Sequence, residues 1–494
     1  MQSGGGGGEE RRRAVAQHLE AALGELLDGE LRRLSSGASR ETFLFSTRAR
    51  GALVVQIARG ADKVVSAPPE AALLRAAAAA GVPVPAVIAE GPGGGPMGSG
   101  WTVLEALAGT SDPKAILAAE GVPDGGPLID QLAAALAAIH RIPLDGGAIP
   151  GLPEVDDPLS GLREWHERLG EPHPAFELAF VALSAGRPQQ RARTVVHGDF
   201  RMGNLMVAEE GLTGVLDWEL SHAGDPVEDL GWLCVPAWRF GRPDRAAAGL
   251  ATRAELLDAY ERHSGVRVDP AALAWWELAG TVRWGVICVM QAFSHLSGAR
   301  RSVEHAVIGR RACEVEWDLL GMLGALPADA VADAPRSPGD DAGEGSTGPA
   351  PAAPATPAAP ATPAAPATPA APAVALHDRP TAVELLHAAR GALGDDVLPH
   401  LDGRPAFQLR VVLRALGIVT RELEHQADHT AIHAVALASV GCHDEGELAL
   451  AIREGRLDAR DPQVLAAVRD TVRAKLEVAN PGYLNHTNPA TEER

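Results

Sequence analysis

Between Val195 and Trp232 the chain reads VVHGDFRMGNLMVAEEGLTGVLDWELSHAGDPVEDLGW. His197, Asp199 and Asn204 form an H-x-D-x4-N pattern, and Asp217 stands 13 residues beyond Asn204, directly after the apolar Val215-Leu216. Moving a phosphoryl group onto a hydroxyl asks little of a protein. It needs a carboxylate to accept the hydroxyl proton and oxygen ligands to hold Mg²⁺ against the phosphates. One Asp, an Asn five residues on and a second Asp further along supply that set. Gly198, Asp199, Gly203 and Asn204 are each ordinary turn formers, so none means much alone. The ordered set, lying between strand-like runs, is specific.

The elements that must hold these residues are short. Thr194–Val196, Leu205–Val207 and Gly214–Leu216 read as strands, and two of them flanking a polar loop would bring Asp199, Asn204 and Asp217 to one end of a hairpin. Upstream, a helix is predicted over Arg12–Leu27, then strands at Thr42–Thr47 and Ala52–Ala58 and a helix over Glu70–Ala80 that stops at Gly81 with Pro83 beyond. Trp101–Ala106 is another apolar run, and from Gly126 the periodicity is mostly helical. The fold class is therefore α+β, with a small β-rich N-terminal lobe, a large helical C-terminal lobe and a cleft between them suited to a nucleotide. Downstream of Asp217, Asp225, Pro226 and Glu228 have the order of an N-cap, first helical residue and capping-box acid.

From about Ala334 to Ala373 the chain is mostly Pro, Ala, Thr, Gly and Ser, and ATPAAP recurs from Ala355 to Pro372. Proline at that density favours extended backbone and builds no core. The expected organisation is a disordered start at 1–10, a main domain at 11–330, a linker at 331–377, a helical domain at 378–485 and a tail at 486–494. Cutting near Gly345 would then leave a folded N-terminal fragment. In the helical domain, Leu409, Val412, Leu416, Val419 and Leu423 follow the spacing of one buried stripe, as do Leu465, Val468, Val472 and Leu476.

A formal charge of −20 argues against nucleic-acid and anionic-membrane partners, whose phosphates it repels. Cys234, Cys288, Cys313 and Cys442 form no CxxC or Cys/His cluster, which suits buried thiols in a reduced, cytoplasmic protein. The glycine-rich start lacks the apolar core of a signal peptide, and no uncharged apolar run reaches the roughly 20 residues of a membrane span.

HGDFRMGN and LDWE resemble the aminoglycoside phosphotransferase family, which has a protein-kinase-like bilobal fold. The resemblance implies Asp199 as catalytic base, Asn204 and Asp217 as Mg²⁺ ligands and ATP or GTP as phosphoryl donor. It also implies loop-bracing roles for His197 and Asp229. It extends more weakly over most of residues 30–320. Ser39 lies where the family has its phosphate-covering loop, Glu70 resembles the helix acid that pairs with a phosphate-gripping cation, and the backbone of Glu105 and Leu107 resembles the hinge that meets the purine. The strand that should carry the cation reads LVVQIAR, so Gln56 stands in its place and Arg59 lies three residues on. His140 fits a family helix as a packing residue.

The wording of HGDFRMGN and GDPVEDLGW is closer to the branch associated with acyl-CoA dehydrogenases, which implies a hydroxyacyl-CoA as acceptor. An aminoglycoside or other antibiotic is the alternative acceptor, with Glu219, Asp225, Glu228 and Asp229 as candidate acids for a polycation. A catalytically weak nucleotide-binding scaffold is the alternative of another class, and Gln56 is its support. The tail resembles a small helical domain of unknown function, a candidate module for docking or homodimerisation.

Overall fold

The computed structural model describes residues 6–36, 40–58, 70–98, 100–119, 127–144, 149–190, 192–326 and 380–486. Helix α1 (Gly6–Leu23) is followed by β1 (Arg32–Ser36), β2 (Arg40–Thr47), β3 (Gly51–Ala58), α2 (Glu70–Ala79), β4 (Val87–Pro92) and β5 (Gly100–Glu105). The strands form one antiparallel sheet in the order β1-β2-β3-β5-β4. Strict alternation sorts its two faces. Phe43, Phe45, Leu53, Val55, Ile57, Trp101 and Val103 are buried with Val15 and Leu19 of α1, while Val54 and Gln56 turn the other way. Helix α1 begins at Gly6, inside the segment expected to be disordered at 1–10.

The helical lobe contains α3 (Pro113–Ala118), α4 (Leu128–Ile139), α5 (Pro158–Leu169) and α6 (Pro174–Ala185), then β6 (Thr194–Val196), β7 (Leu205–Ala208), β8 (Gly211–Val215) and β9 (His222–Gly224). Helices α7 (Val227–Cys234), α8 (Arg253–Ser264), α9 (Pro270–Leu296), α10 (Val303–Gly309) and α11 (Ala312–Met322) follow. The single hairpin expected around the polar loop is instead two ribbons: β6 pairs with β9, and β7 pairs with β8. Asp199 and Asn204 lie on the connection from β6 to β7, and Asp217 on the connection from β8 to β9. Helix α7 crosses α9 closely because Gly231 has no side chain; a Cβ there would lie 2.6 Å from the main-chain carbon of Trp276.

The remaining helices are α12 (Ala382–Gly391), α13 (Gly403–Ser439), α14 (Glu445–Arg453), α15 (Pro462–Ala479) and α16 (Pro481–His486). The chain divides into two compact units, one made of 1–333 with 431–494 and the other of 334–430. The boundary near 378 marks a change in composition, but packing assigns α14, α15 and α16 to the unit that holds the β-rich lobe. Val464, Val468, Val472 and Leu476 of α15 share a core with Ala175 and Leu178 of α6 and with Trp317 and Leu320 of α11. The stripe read at Leu465–Leu476 is thus the docking face of α15, with Leu465 itself half-buried. The other stripe is not buried as a whole. Val419 and Leu423 are exposed, whereas Gly417, Ile418 and Thr420 are buried. A unit of so few helices covers only part of α13's circumference. The linker reading at 331–377 lies outside the described residues.

Candidate active site

The loop after β6 is built around Asp199. Its Oδ1 accepts from Trp232 Nε1 at 2.9 Å and from Arg201 Nε at 3.0 Å, and its Oδ2 accepts from Asn204 Nδ2 at 2.6 Å. The same Asn204 amide nitrogen reaches the Asp199 carbonyl at 3.0 Å. That bonding assigns Asn204 Nδ2 to the loop and leaves Oδ1 as its ligating atom. Arg201 lies over the ring of Trp238, 4.8 Å from its centroid, which holds the guanidinium in place.

Beneath the loop, the fully buried Asp229 of α7 accepts from the backbone N–H of His197 at 2.8 Å and of Gly198 at 2.9 Å, one on each oxygen. His140 Nε2 meets the same carboxylate at 3.3 Å, and His140 Nδ1 is 2.8 Å from the Tyr260 hydroxyl. Burial works to raise the Asp229 pKa, but His140, and after it His197 with its backbone amide, outweigh it and hold the pKa down. His197 is buried and its pKa is lowered by that burial. Its Nε2 lies 3.0 Å from the Leu216 carbonyl, and its Nδ1 accepts from the Asp199 amide at 3.2 Å. Those partners assign the neutral tautomer with the proton on Nε2. The ring therefore ties the Asp199 loop to the strand end leading into Asp217. Gly198 is obligatory here: its φ is +80°, and a Cβ would stand 2.4 Å from the Leu220 carbonyl.

Asp217 has φ 65° and ψ 66°, a left-handed conformation that few non-glycine residues adopt. The residue is exposed, yet partial loss of solvent and the charges of Glu219, Asp199 and Glu70 push its pKa up to about 6, with Arg40 opposing. Carboxylates so converged make a negative field that a divalent cation would satisfy. No trio of His, Cys, Asp or Glu forms a metal cage among the described residues. Mg²⁺ takes few protein ligands and completes its shell with phosphates and water.

Across the cleft, Gln56 Oε1 accepts from Arg40 Nη1 at 3.0 Å, and the same nitrogen pairs with Glu70. Burial raises the pKa of Glu70, and Arg40 draws it back down. The amide of Glu105 is bonded to the Ala86 carbonyl at 3.0 Å, so that N–H is not offered to a purine. Leu107 packs its side chain where a Cβ on Gly214 would lie, 2.0 Å from Leu107 Cδ1. Ser39 and Arg59 lie outside the described residues.

Asp225 caps α7 through its Oδ1, which accepts from Val227 N at 2.9 Å. Glu228 does not close the capping box; it pairs with His222 Nε2 at 3.1 Å and Arg283 Nη1 at 3.3 Å. Trp232, Arg201, Arg40 and the supporting role of His140 are not legible as site residues in the pattern. Trp232 and Arg201 do sit inside the motif words GDPVEDLGW and HGDFRMGN, and Arg40 opens a β-rich run.

Residues 30–274 match the model of the phosphotransferase enzyme family, and residues 399–483 match a domain of unknown function (DUF6285). Acyl-CoA dehydrogenase family member 10 of Mus musculus is 28% identical over 234 residues, which covers 45% of this chain and 22% of the mouse protein. Acyl-CoA dehydrogenase family member 11 of Rattus norvegicus is 30% identical over 126 residues, 22% of this chain and 16% of the rat protein. The chain thus spans about a fifth of the length of these curated relatives. A solved protein from Ralstonia eutropha, assigned as an aminoglycoside phosphotransferase, superposes with a TM-score of 0.49 at 24% identity, over 62% of this chain and 97% of that one.

Proposed function

Given that residues 30–274 belong to the phosphotransferase enzyme family, we propose that this chain transfers the γ-phosphoryl group of ATP to the hydroxyl of a small molecule. The observation that carries the reading is the Asp199 carboxylate, fixed by Trp232, Arg201 and Asn204 on a loop pinned from below by Asp229. Such fixation suits a base that must meet an acceptor hydroxyl without reorganising. Asp199 takes the hydroxyl proton as the oxygen attacks. Arg201 and Trp232 hold the carboxylate's orientation, and His197 and Asp229 brace the loop. Asn204 and Asp217 would hold Mg²⁺, which neutralises charge on the phosphates when bound. Gln56 and Glu70 line the phosphate side, and Glu105 with Leu107 the purine side.

A hydroxyacyl-CoA is the acceptor we favour, since the curated relatives are acyl-CoA dehydrogenase family members. An aminoglycoside fits less well. Of the four acids available to a polycation, Asp229 is buried under the loop, Glu228 is paired with His222 and Arg283, and Asp225 caps α7. ADP release from ATP and Mg²⁺, screened over hydroxyacyl-CoAs, aminoglycosides, macrolides and amino alcohols, tests the reading. Turnover on a hydroxyacyl-CoA that vanishes in Asp199→Asn supports it; turnover on an aminoglycoside alone overturns the acceptor.

A further inference from the structure

We infer that Arg40 grips the nucleotide's phosphates, filling from β2 the position that Gln56 leaves without charge on β3. This rests on the phosphotransferase reading above. The register of the sheet sets Thr42 opposite Gln56 and Arg40 opposite Ala58. Arg40 is therefore the diagonal neighbour of Gln56 on the same face, within reach of a long side chain. The contacts agree: Arg40 Nη1 donates to Gln56 Oε1 at 3.0 Å and pairs with Glu70 at the start of α2. Gln56 thus orients the cation.

One further observation aims Arg40 at the cleft. Glu70 opens α2, and α2 packs against the Trp218–Leu220 turn directly after Asp217, so the helix that holds Arg40's partner lies against the loop that carries a proposed metal ligand. Both bonds leave from Nη1, so among the described residues the Nη2–Nε edge of the guanidinium has no protein partner. A planar pair of N–H donors beside a Mg²⁺ loop matches adjacent phosphate oxygens. Glu70, only 10% exposed at its side chain, keeps the guanidinium from folding out to solvent.

The test is calorimetric titration of the full chain with Mg·ATP and with adenosine, comparing wild type with Arg40→Gln. Gln retains much of the length and some hydrogen bonding but removes the charge. Losing a charge-assisted pair of bonds should weaken Mg·ATP by about 10- to 100-fold, while adenosine affinity stays within about twofold. Unchanged Mg·ATP affinity overturns the assignment. So does an equal loss for both ligands, which would make Arg40 a prop of the lobe. Arg40→Lys keeps charge and should lie between the two. A Lys variant as weak as Arg40→Gln leaves the fork geometry as the source of binding and supports the assignment. A wild type that binds neither ligand sinks the phosphotransferase reading itself.

Discussion

The two aspartates face different environments, and their proposed roles separate in experiment. Asp199 is held by three side-chain donors, none of which a substitution to Asn displaces by size. Asp199→Asn should therefore lower turnover by about 10²–10⁴ with little change in Mg·ATP affinity. Burial and then the neighbouring carboxylates resist the ionisation of Asp217, a setting that a bound cation would relieve. Asp217→Asn should lower both turnover and metal-dependent nucleotide binding. Steady-state kinetics and Mg·ATP titration on the two variants distinguish them; matching profiles would contradict the division of labour. The Asp199 and Asn204 pattern was readable because its spacing is local. Trp232 and Arg40 were not, since the one reaches Asp199 across 33 positions of sequence and the other meets Gln56 only through sheet register.

At the scale of elements, the loop's shape depends on α7 more than on its own residues. Asp229 satisfies two buried amides, and His140 of the α4 C-terminus satisfies Asp229 in turn. Asp229→Asn replaces one accepting oxygen by a donor facing an N–H, so one amide is orphaned and the loop loses its anchor. We expect a loss of about 1–3 kcal/mol in stability, read by thermal melting, and a fall in turnover without a change in adenosine affinity. An Asp229→Asn protein with wild-type turnover would remove the bracing role. Three strands of the β-rich lobe, β2, β3 and β5, were legible from their apolar runs and the turn at Gly51, whereas β1 (RRLSS) and β4 (VIAEGP) at the sheet's edges were not, because they lack such a run. The division of the loop strands into β6–β9 and β7–β8 ribbons was not, because three- to five-residue strands carry too little pattern to declare a partner.

At the scale of the whole molecule, buried acids tie the last helices to the helical lobe. Glu177 of α6 accepts from Arg453 Nη2 at 2.6 Å and faces His166; Glu316 of α11 faces His173 and lies 3.7 Å from Lys475; Asn480 donates to Glu314 at 2.8 Å. Tyr483 donates to Asp318 at 2.8 Å. Burial works to raise the Glu177 pKa, but His166 and Arg453 overcome it and hold it down to about 2. A fragment cut near Gly345 would take Arg453, Lys475, Asn480 and Tyr483 away from these acids, leaving Glu177 to His166 and Arg163, Glu316 to His173 and Glu314 to Arg311, and would expose the α6–α11 face, so we now expect it to be less stable than the full chain and to aggregate on heating. Arg453→Ala alone should cost about 1.5–3 kcal/mol, the worth of a charged hydrogen bond, since Glu177 then keeps only the longer contacts from Arg163 at 3.4 Å and His166 at 3.3 Å. A fragment that melts with the full chain would restore the modular reading.

The pH profile follows with opposite signs from two of these groups. Glu177 has a depressed pKa, so its contribution is present above its unfolded value of 4.5 and fades as pH falls towards 2. Asp318 is pushed up to about 7, chiefly by burial, so it favours the folded state when protonated and costs stability as pH rises from about 4 to 7. Thermal melts should therefore flatten between pH 4 and 7 in Asp318→Asn, and a variant that follows the wild-type slope would clear Asp318 of that role.

The return of α14, α15 and α16 to the helical lobe also sets a clock on biosynthesis. Ala175, Leu178, Trp317 and Leu320 leave the ribosome long before Val464, Val468 and Leu476, which complete the same core. At ~5–20 residues per second, that core waits on the order of ten seconds for its last layer. For that interval the nascent chain carries an uncovered apolar face, which is when a chaperone or a neighbouring nascent chain has its opening.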